Sequence, residues 1–382
     1  MPKFKSPYTQ VSTKTTPQSE PIPGSSQVPN NAGGYSWKVS NWQQLDRFLI
    51  LGSEKGTFYI GEQTLTKDNV AALIWCIQED GLRVVNRIVE VSDKGLAPKN
   101  DPALFALAAA SALGDVAARR AACEAIPKVA RIGTHLFHLI AFREQFAGWG
   151  GKGLFKRAVQ KWYLDKNPND LAYQMLKYQG RDGWTHRDVL RLSHPKPVTD
   201  AQTAIFKYVV AGTVPEEAAT PVTHAGKYID WGNLINAYEK LKVSTELREV
   251  VALATFYNLE REFIPAQWLQ HVDVWKALLK NFKIHALIRN LANLSQDKIL
   301  GPANWDVVNY VVETLRNETL LGTSRVHPLE LLIAARVYGG GSIQQKRGLK
   351  EWEVVSQVVD ALDDAVYTCI PNVDPTHKQY FI

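Results

Sequence analysis

The chain has 382 residues, of which 45% are hydrophobic and 21% charged, and a net charge of +6. That length holds two or three ordinary domains or one repeat-built array with a continuous core, and charge interrupts every apolar run too soon for a membrane-spanning helix. Cys76, Cys123 and Cys369 are odd in number and far apart, which argues against a disulfide framework or a zinc motif and for a reducing, cytoplasmic setting.

Residues 1–34 are rich in Ser, Thr, Pro, Gln and Gly, too polar to bury a core, and read as a flexible tail. A strand-like stretch, GTFYIGEQTL at 56–65, suggests a hairpin. From about 66 onward the pattern is helix, short break, helix, with apolar residues at helical spacing in 70–77, 103–113, 132–142, 251–259, 284–294 and 352–366. Thr66, Asp101-Pro102 and His327-Pro328 fit helix starts, and Gly95, Gly114, Gly180 and Gly301 fit stops. The last residues, KQYFI, read as the opening of a buried strand. Amphipathic helices of one to four turns with short connections predict an all-α, HEAT-like solenoid in which each helix pair buries its apolar face against its neighbours.

Charge is concentrated in one window. Between 119 and 196, fifteen basic residues face six acidic ones, a net +9, so the rest of the chain carries −3. A local excess larger than the whole-chain excess is the footprint of a surface for a polyanion. Within it, KYQGRDGWTHRDVLRLSHPK (177–196) is densest. Thr185 and Asp188 have capping-box spacing, which predicts a helix from 186 to just before Pro195. On that helix Arg187, Arg191 and His194 form one stripe, with Val189 and Leu192 opposite. Lys177 and Arg181 stand four apart at the end of a helix over 168–179, with Tyr173, Tyr178 and Trp184 nearby. Cations that meet phosphates, interleaved with aromatic planes that stack on bases, suit single-stranded RNA. A second basic helix, 152–163, presents Lys152, Lys156 and Arg157 near its start, where the helix dipole disfavours cations. Its preceding glycines match no phosphate-binding loop. His135 and His138 share a helical face without a third ligand, so no metal site is expected; His135 and nearby Arg131 join the RNA-binding candidates. No nucleophile–base order or carboxylate pair stands out, so neither an enzyme nor a cofactor is expected.

The segments YSWKVSNWQQLDRFLILGSEKGTFYI (35–60), DPALFALAAASA (101–112), RIGTHLFHLIAF (131–142), KYQGRDGWTHRDVLRLSHPKP (177–197), VWKALL (274–279), LIRNLANL (287–294) and RVHPLELLIA (325–334) resemble, in order, the Ro autoantigen family and its TROVE module. The resemblance implies a HEAT-like ring over 35–370 whose central hole takes single-stranded 3′ ends of misfolded RNA and whose outer basic surface takes a Y-like non-coding RNA. It marks Lys177, Arg181 and His194 as RNA-binding, and His186, Arg187 and Arg191 fit in type. It further implies a ribonucleoprotein scaffold in RNA quality control, a monomer because the family ring lies within one chain, and an exoribonuclease as a candidate partner. Ro proteins continue into a von Willebrand factor A domain with a DxSxS metal motif that closes the ring. Residues 371–382 read as the start of such a domain, truncated or split, without that motif, which leaves ring closure open. Two other classes fit the residues: a helical protein-binding scaffold with a basic face, and a helix-turn-helix DNA binder built on 168–193.

Overall fold

The computed structural model describes residues 20–30, 33–52, 62–148, 153–216, 230–345 and 348–373. In chain order these form β1 (Gln27–Pro29), β2 (Tyr35–Trp37), α1 (Asn41–Leu51), α2 (Glu62–Lys94), α3 (Asp101–Leu113), α4 (Val116–Val129), α5 (Gly133–Ala147), α6 (Leu154–Leu164) and α7 (Pro168–Lys177). Next come β3 (Gly180–Arg181), β4 (Trp184–Thr185), α8 (His186–Ser193), α9 (Asp200–Ala211), α10 (Trp231–Val243), α11 (Leu247–Phe256) and α12 (Val272–Leu279). The chain continues through α13 (Ile284–Gln296), α14 (Trp305–Leu315), α15 (Glu318–Thr323), α16 (Pro328–Gly339), β5 (Ser342–Gln345), β6 (Gly348–Glu351) and α17 (Ser356–Cys369).

Packing follows a solenoid rule. α2 touches α3 and α4, α3 reaches α5, α4 reaches α6, α6 reaches α8, and α7 reaches α9 and α10. The second half repeats the scheme through α10, α11 and α12, then α13 with α14 and α16, and α17 with α14 and α16. α3 shows why the stack holds: Ala103, Leu104, Ala106, Leu107, Ala108, Ala109 and Ala110 are all fully buried, as expected of a helix that is apolar almost all round. Small side chains let its neighbours approach. α2 bends at Asp80 (φ −153°, ψ 82°), whose carboxylate accepts from the Arg83 amide at 2.9 Å and restarts the helix. Just after the bend, a Cβ on Gly81 would lie 2.5 Å from the Ala118 Cβ, so the α2–α4 approach requires glycine there.

The helical repeat also returns on itself. Arg325, just before α16, reaches Asp93 at the end of α2 at 3.2 Å, across 232 positions of sequence. A Cβ on Gly95 (φ +66°) would lie 3.1 Å from the Arg325 Cβ, and the His327 ring hydrogen-bonds to the backbone of Leu96. The chain is therefore an all-α, ring-like helical repeat, and the end of α2 meets the segment ahead of α16 at the seam.

Several local expectations need correction. Thr66 lies inside α2, and Asn100, not Asp101, occupies the cap position of α3. Gly95 and Gly114 do end helices, but Gly180 opens a strand and α13 ends at Gln296, well before Gly301. Residues 62–65 of the expected hairpin are helical, while 56–61 lie outside the described residues, as does KQYFI. Within the segment read as a tail, Gln27–Pro29 pairs antiparallel with Tyr35–Trp37. Residues 352–355, expected in the last helix, precede it. No helix among the described residues is long and apolar enough to cross a membrane.

Candidate functional site

The densest basic segment folds as helix, hairpin, helix. Asn167 caps α7 by accepting from the Asp170 amide at 2.9 Å, and Pro168 supplies the pre-set first turn. α7 ends at Lys177. Beyond it, Gly180–Arg181 pairs with Trp184–Thr185 through Asp182 (φ 53°) and Gly183 (φ 81°), two adjacent left-handed residues of the kind a tight two-residue hairpin needs. Arg181 therefore sits on a strand, not one helical turn beyond Lys177, and the supposed helix-turn-helix is interrupted by a hairpin. Asp-Gly between two candidate elements is the sequence signal for that turn.

The capping box is present: the Asp188 amide donates to Thr185 Oγ1 at 3.3 Å and the Thr185 amide to Asp188 Oδ2 at 3.1 Å. α8 then runs to Ser193, with His194 as a left-handed cap (φ 51°) ahead of Pro195. Arg187, Arg191 and His194 are exposed on it, and Val189 and Leu190 are buried. Leu192, expected on the buried side, is 43% exposed. Gln160 of α6 donates to the Ser193 carbonyl at 2.6 Å, which seats the end of α8 beside α6. Lys156 and Arg157, four and three residues before Gln160 on α6, thus border the His194 end; Lys156 is half-buried and Arg157 exposed. Lys152 lies outside the described residues.

His186 does not join the exposed stripe. It is 2% exposed, between Phe137 and Trp162, with its Nδ1 2.9 Å from the buried Tyr163 hydroxyl and its Nε2 3.3 Å from the Gln174 carbonyl. Those partners suit a neutral ring that accepts at Nδ1 and donates at Nε2. Burial pushes its pKa down to about 3, so it stays neutral near pH 7. Its residue type alone misses this, because residue 186 is the first of α8 and faces α5, α6 and α7 together.

Lys177 is likewise engaged. Its side chain is 7% exposed, forms an ion pair with Glu260, and donates to the Tyr173 hydroxyl at 3.0 Å. Lys283 approaches the same carboxylate at 3.2 Å and the same hydroxyl at 2.8 Å. Burial alone would raise the Glu260 carboxyl, but Lys177, the Tyr173 hydrogen bond and Lys283 outweigh it and hold the group ionised, below the usual carboxylate range. Tyr173 and Tyr178, considered as base platforms, lie on either side of Lys177, each ring centre 5.3 Å from its ammonium. Trp184 packs half-buried against the core.

Arg131 spends donors on the chain itself: its Nη1 lies 2.9 Å from both Ser92 Oγ and the Lys128 carbonyl. His135 is half-buried, 3.5 Å from the Asn100 amide, and burial, reinforced by Arg131, His138 and Arg289, pushes its pKa down to about 3. His138 pairs with Asp182 and so ties the hairpin tip to α5. Among the described residues no three His, Cys, Asp or Glu side chains could share a metal ion.

These features define a helical-repeat ring that presents an arginine-bearing hairpin–helix unit pinned from several sides. The TROVE domain model matches residues 28–339, and the chain belongs to that family. It is 34% identical over 357 residues to the RNA-binding protein RO60 of Deinococcus radiodurans, and 29% identical over 422 residues to that of Caenorhabditis elegans. Each alignment covers 93% of this chain but 64% of the relative. The crystal structure of the D. radiodurans RO (RSR) protein superposes with a TM-score of 0.67 over 88% of this chain and 65% of that one.

Proposed function

We propose that this chain is a non-catalytic RNA-binding protein that receives RNA phosphates on the hairpin–α8 unit and acts as a ribonucleoprotein scaffold in RNA quality control or processing. The observation that carries the reading is the exposure of Arg181, Arg187, Arg191 and His194 on one capped, buttressed element. Arg187 and Arg191 pair with no acid among the described residues. Arg181 lies 3.7 Å from the Asp182 carboxylate, whereas the charge of Arg187 and Arg191 stays available to a polyanion. The names of the two relatives support RNA over duplex DNA or an acidic protein. The ligands proposed are a small structured, Y-like RNA and the single-stranded 3′ ends of misfolded RNAs. An exoribonuclease is the proposed partner for the second class. A monomer is proposed because the seam at Asp93 and Arg325 lies within one chain.

The test is binding to a structured RNA with a single-stranded 3′ tail and to the same RNA made blunt, across a salt series, for wild type and Arg187→Ala/Arg191→Ala. Each single-strand phosphate contact contributes a slope of about 0.7 in log K against log salt. The double variant should bind more weakly and lose about 1.4 of that slope. Equal affinity and equal slope for wild type and variant would remove α8 from the interface, and equal competition by duplex DNA would favour a DNA binder.

A further inference from the structure

We propose that Glu260 and Lys177 form a positioning pair that fixes the β3–β4 hairpin for RNA, and that Lys177 is not itself a phosphate contact. This rests on the RNA-binding reading and changes the role that the family resemblance implies for Lys177. The ammonium is enclosed by Glu260, the Tyr173 hydroxyl and the Tyr178 ring, with 7% of the side chain exposed. A phosphate reaching it would have to displace a carboxylate already held ionised inside the fold.

The pair is well placed to act on the hairpin. Lys177 is the last residue of α7, and only Tyr178 and Gln179 separate it from β3. Glu260 belongs to the segment between α11 and α12, in the second half of the ring. The same segment brings Phe263 against Tyr173, with ring centres 6.1 Å apart, and against Tyr238 of α10, 6.2 Å apart. Gln179 in turn hydrogen-bonds to the Tyr238 hydroxyl. The base of the hairpin is therefore held by α10 and the 260–263 segment, while its tip is held by His138 through Asp182. Arg181 lies between the two anchors, 60% exposed.

Lys283 makes the idea testable without unfolding the protein. If Lys177 becomes methionine, Lys283 still neutralises Glu260 at 3.2 Å. If Glu260 becomes glutamine, Lys283, 60% exposed, can turn to solvent. A directly binding Lys177 and a positioning Lys177 then predict opposite signs for the second change. Freed from its carboxylate, a phosphate-binding lysine would bind RNA more tightly. A positioning pair would lose its hold on the hairpin.

The experiment measures RNA affinity and salt slope for wild type, Lys177→Met, Glu260→Gln, the double variant and Arg191→Ala, at a temperature where circular dichroism shows every protein folded. Amide hydrogen exchange over 178–185 is followed in parallel without RNA. The expected result is a loss of about tenfold in affinity for Lys177→Met and Glu260→Gln alike, and no further loss in the double variant because the two act as one unit. Their salt slopes should match wild type, Arg191→Ala should lose about 0.7, and hairpin exchange should quicken in both. Tighter binding by Glu260→Gln, or a slope loss in Lys177→Met equal to that of Arg191→Ala, would overturn the proposal and make Lys177 a contact. If wild type binds no RNA at any salt concentration, the functional reading fails and the positioning of RNA contacts fails with it. Exchange over 178–185 that is unchanged in both variants would also show that the pair does not hold the hairpin.

Discussion

Acidification should destabilise this protein through His186, by an amount that follows from its burial. The folded-state pKa is pushed down to about 3, whereas an unfolded histidine titrates near about 6.5. Above pH 6.5 both states hold a neutral ring and the group adds no pH dependence. As pH falls from about 6.5 towards 3, the unfolded chain binds a proton that the folded one refuses, and stability drops by about 1.4 kcal/mol per pH unit. Between pH 7 and pH 5 the loss from this one residue is about 2 kcal/mol. His135, also near 3, adds a loss in the same direction, and His285, whose pKa the Glu330 hydrogen bond raises, acts in the opposite sense. Comparison with His186→Gln isolates the residue, because a glutamine amide offers a donor and an acceptor but does not titrate. Urea unfolding at pH 7, 6 and 5 measures both proteins. The variant should start less stable and lose about 2 kcal/mol less on acidification. Equal losses in the two proteins would refute the assignment of His186 as a buried neutral bridge.

Three further outcomes test the same geometry. Gly133→Ala would place a Cβ 2.8 Å from both His186 Nε2 and Tyr178 Cβ, and should cost about 1–3 kcal/mol in urea unfolding, as overpacking does. Thr185→Ala removes half of the capping box and should cost about 1 kcal/mol; RNA binding should weaken with it if α8 carries the contacts, whereas unchanged affinity would detach the cap from the interface. Arg325→Ala at the seam should cost under about 1 kcal/mol, since both partners are largely exposed, and a loss of several kcal/mol would show that the seam carries far more than an exposed ion pair.

The readings that succeeded from sequence rest on local rules. Thr185, three residues before Asp188, fixed where α8 begins, because a cap needs only a side-chain oxygen and a nearby amide. Spacing likewise placed Arg187 and Arg191 on an exposed face, and apolar residues at helical spacing in 103–113 marked a helix there. The Asp182-Gly183 turn was also written locally, in a dipeptide that tolerates left-handed backbone, but it was read as a plain turn between two helices and not as the tip of a hairpin.

What spacing could not supply is the identity of partners far away in the chain. Lys177 looks like a free cation until Glu260 arrives 83 residues later, and His186 looks like an RNA-binding histidine until Tyr163, Gln174 and Phe137 close over it. The return of the ring brings Arg325 to Asp93, a contact no local pattern encodes. The sequence by itself determined the helices, their buried faces and the basic window, because these follow from neighbours within a turn or two. The tertiary structure alone decided which of those basic groups remain open to solvent, because burial and ion pairing depend on which distant elements the packing brings together.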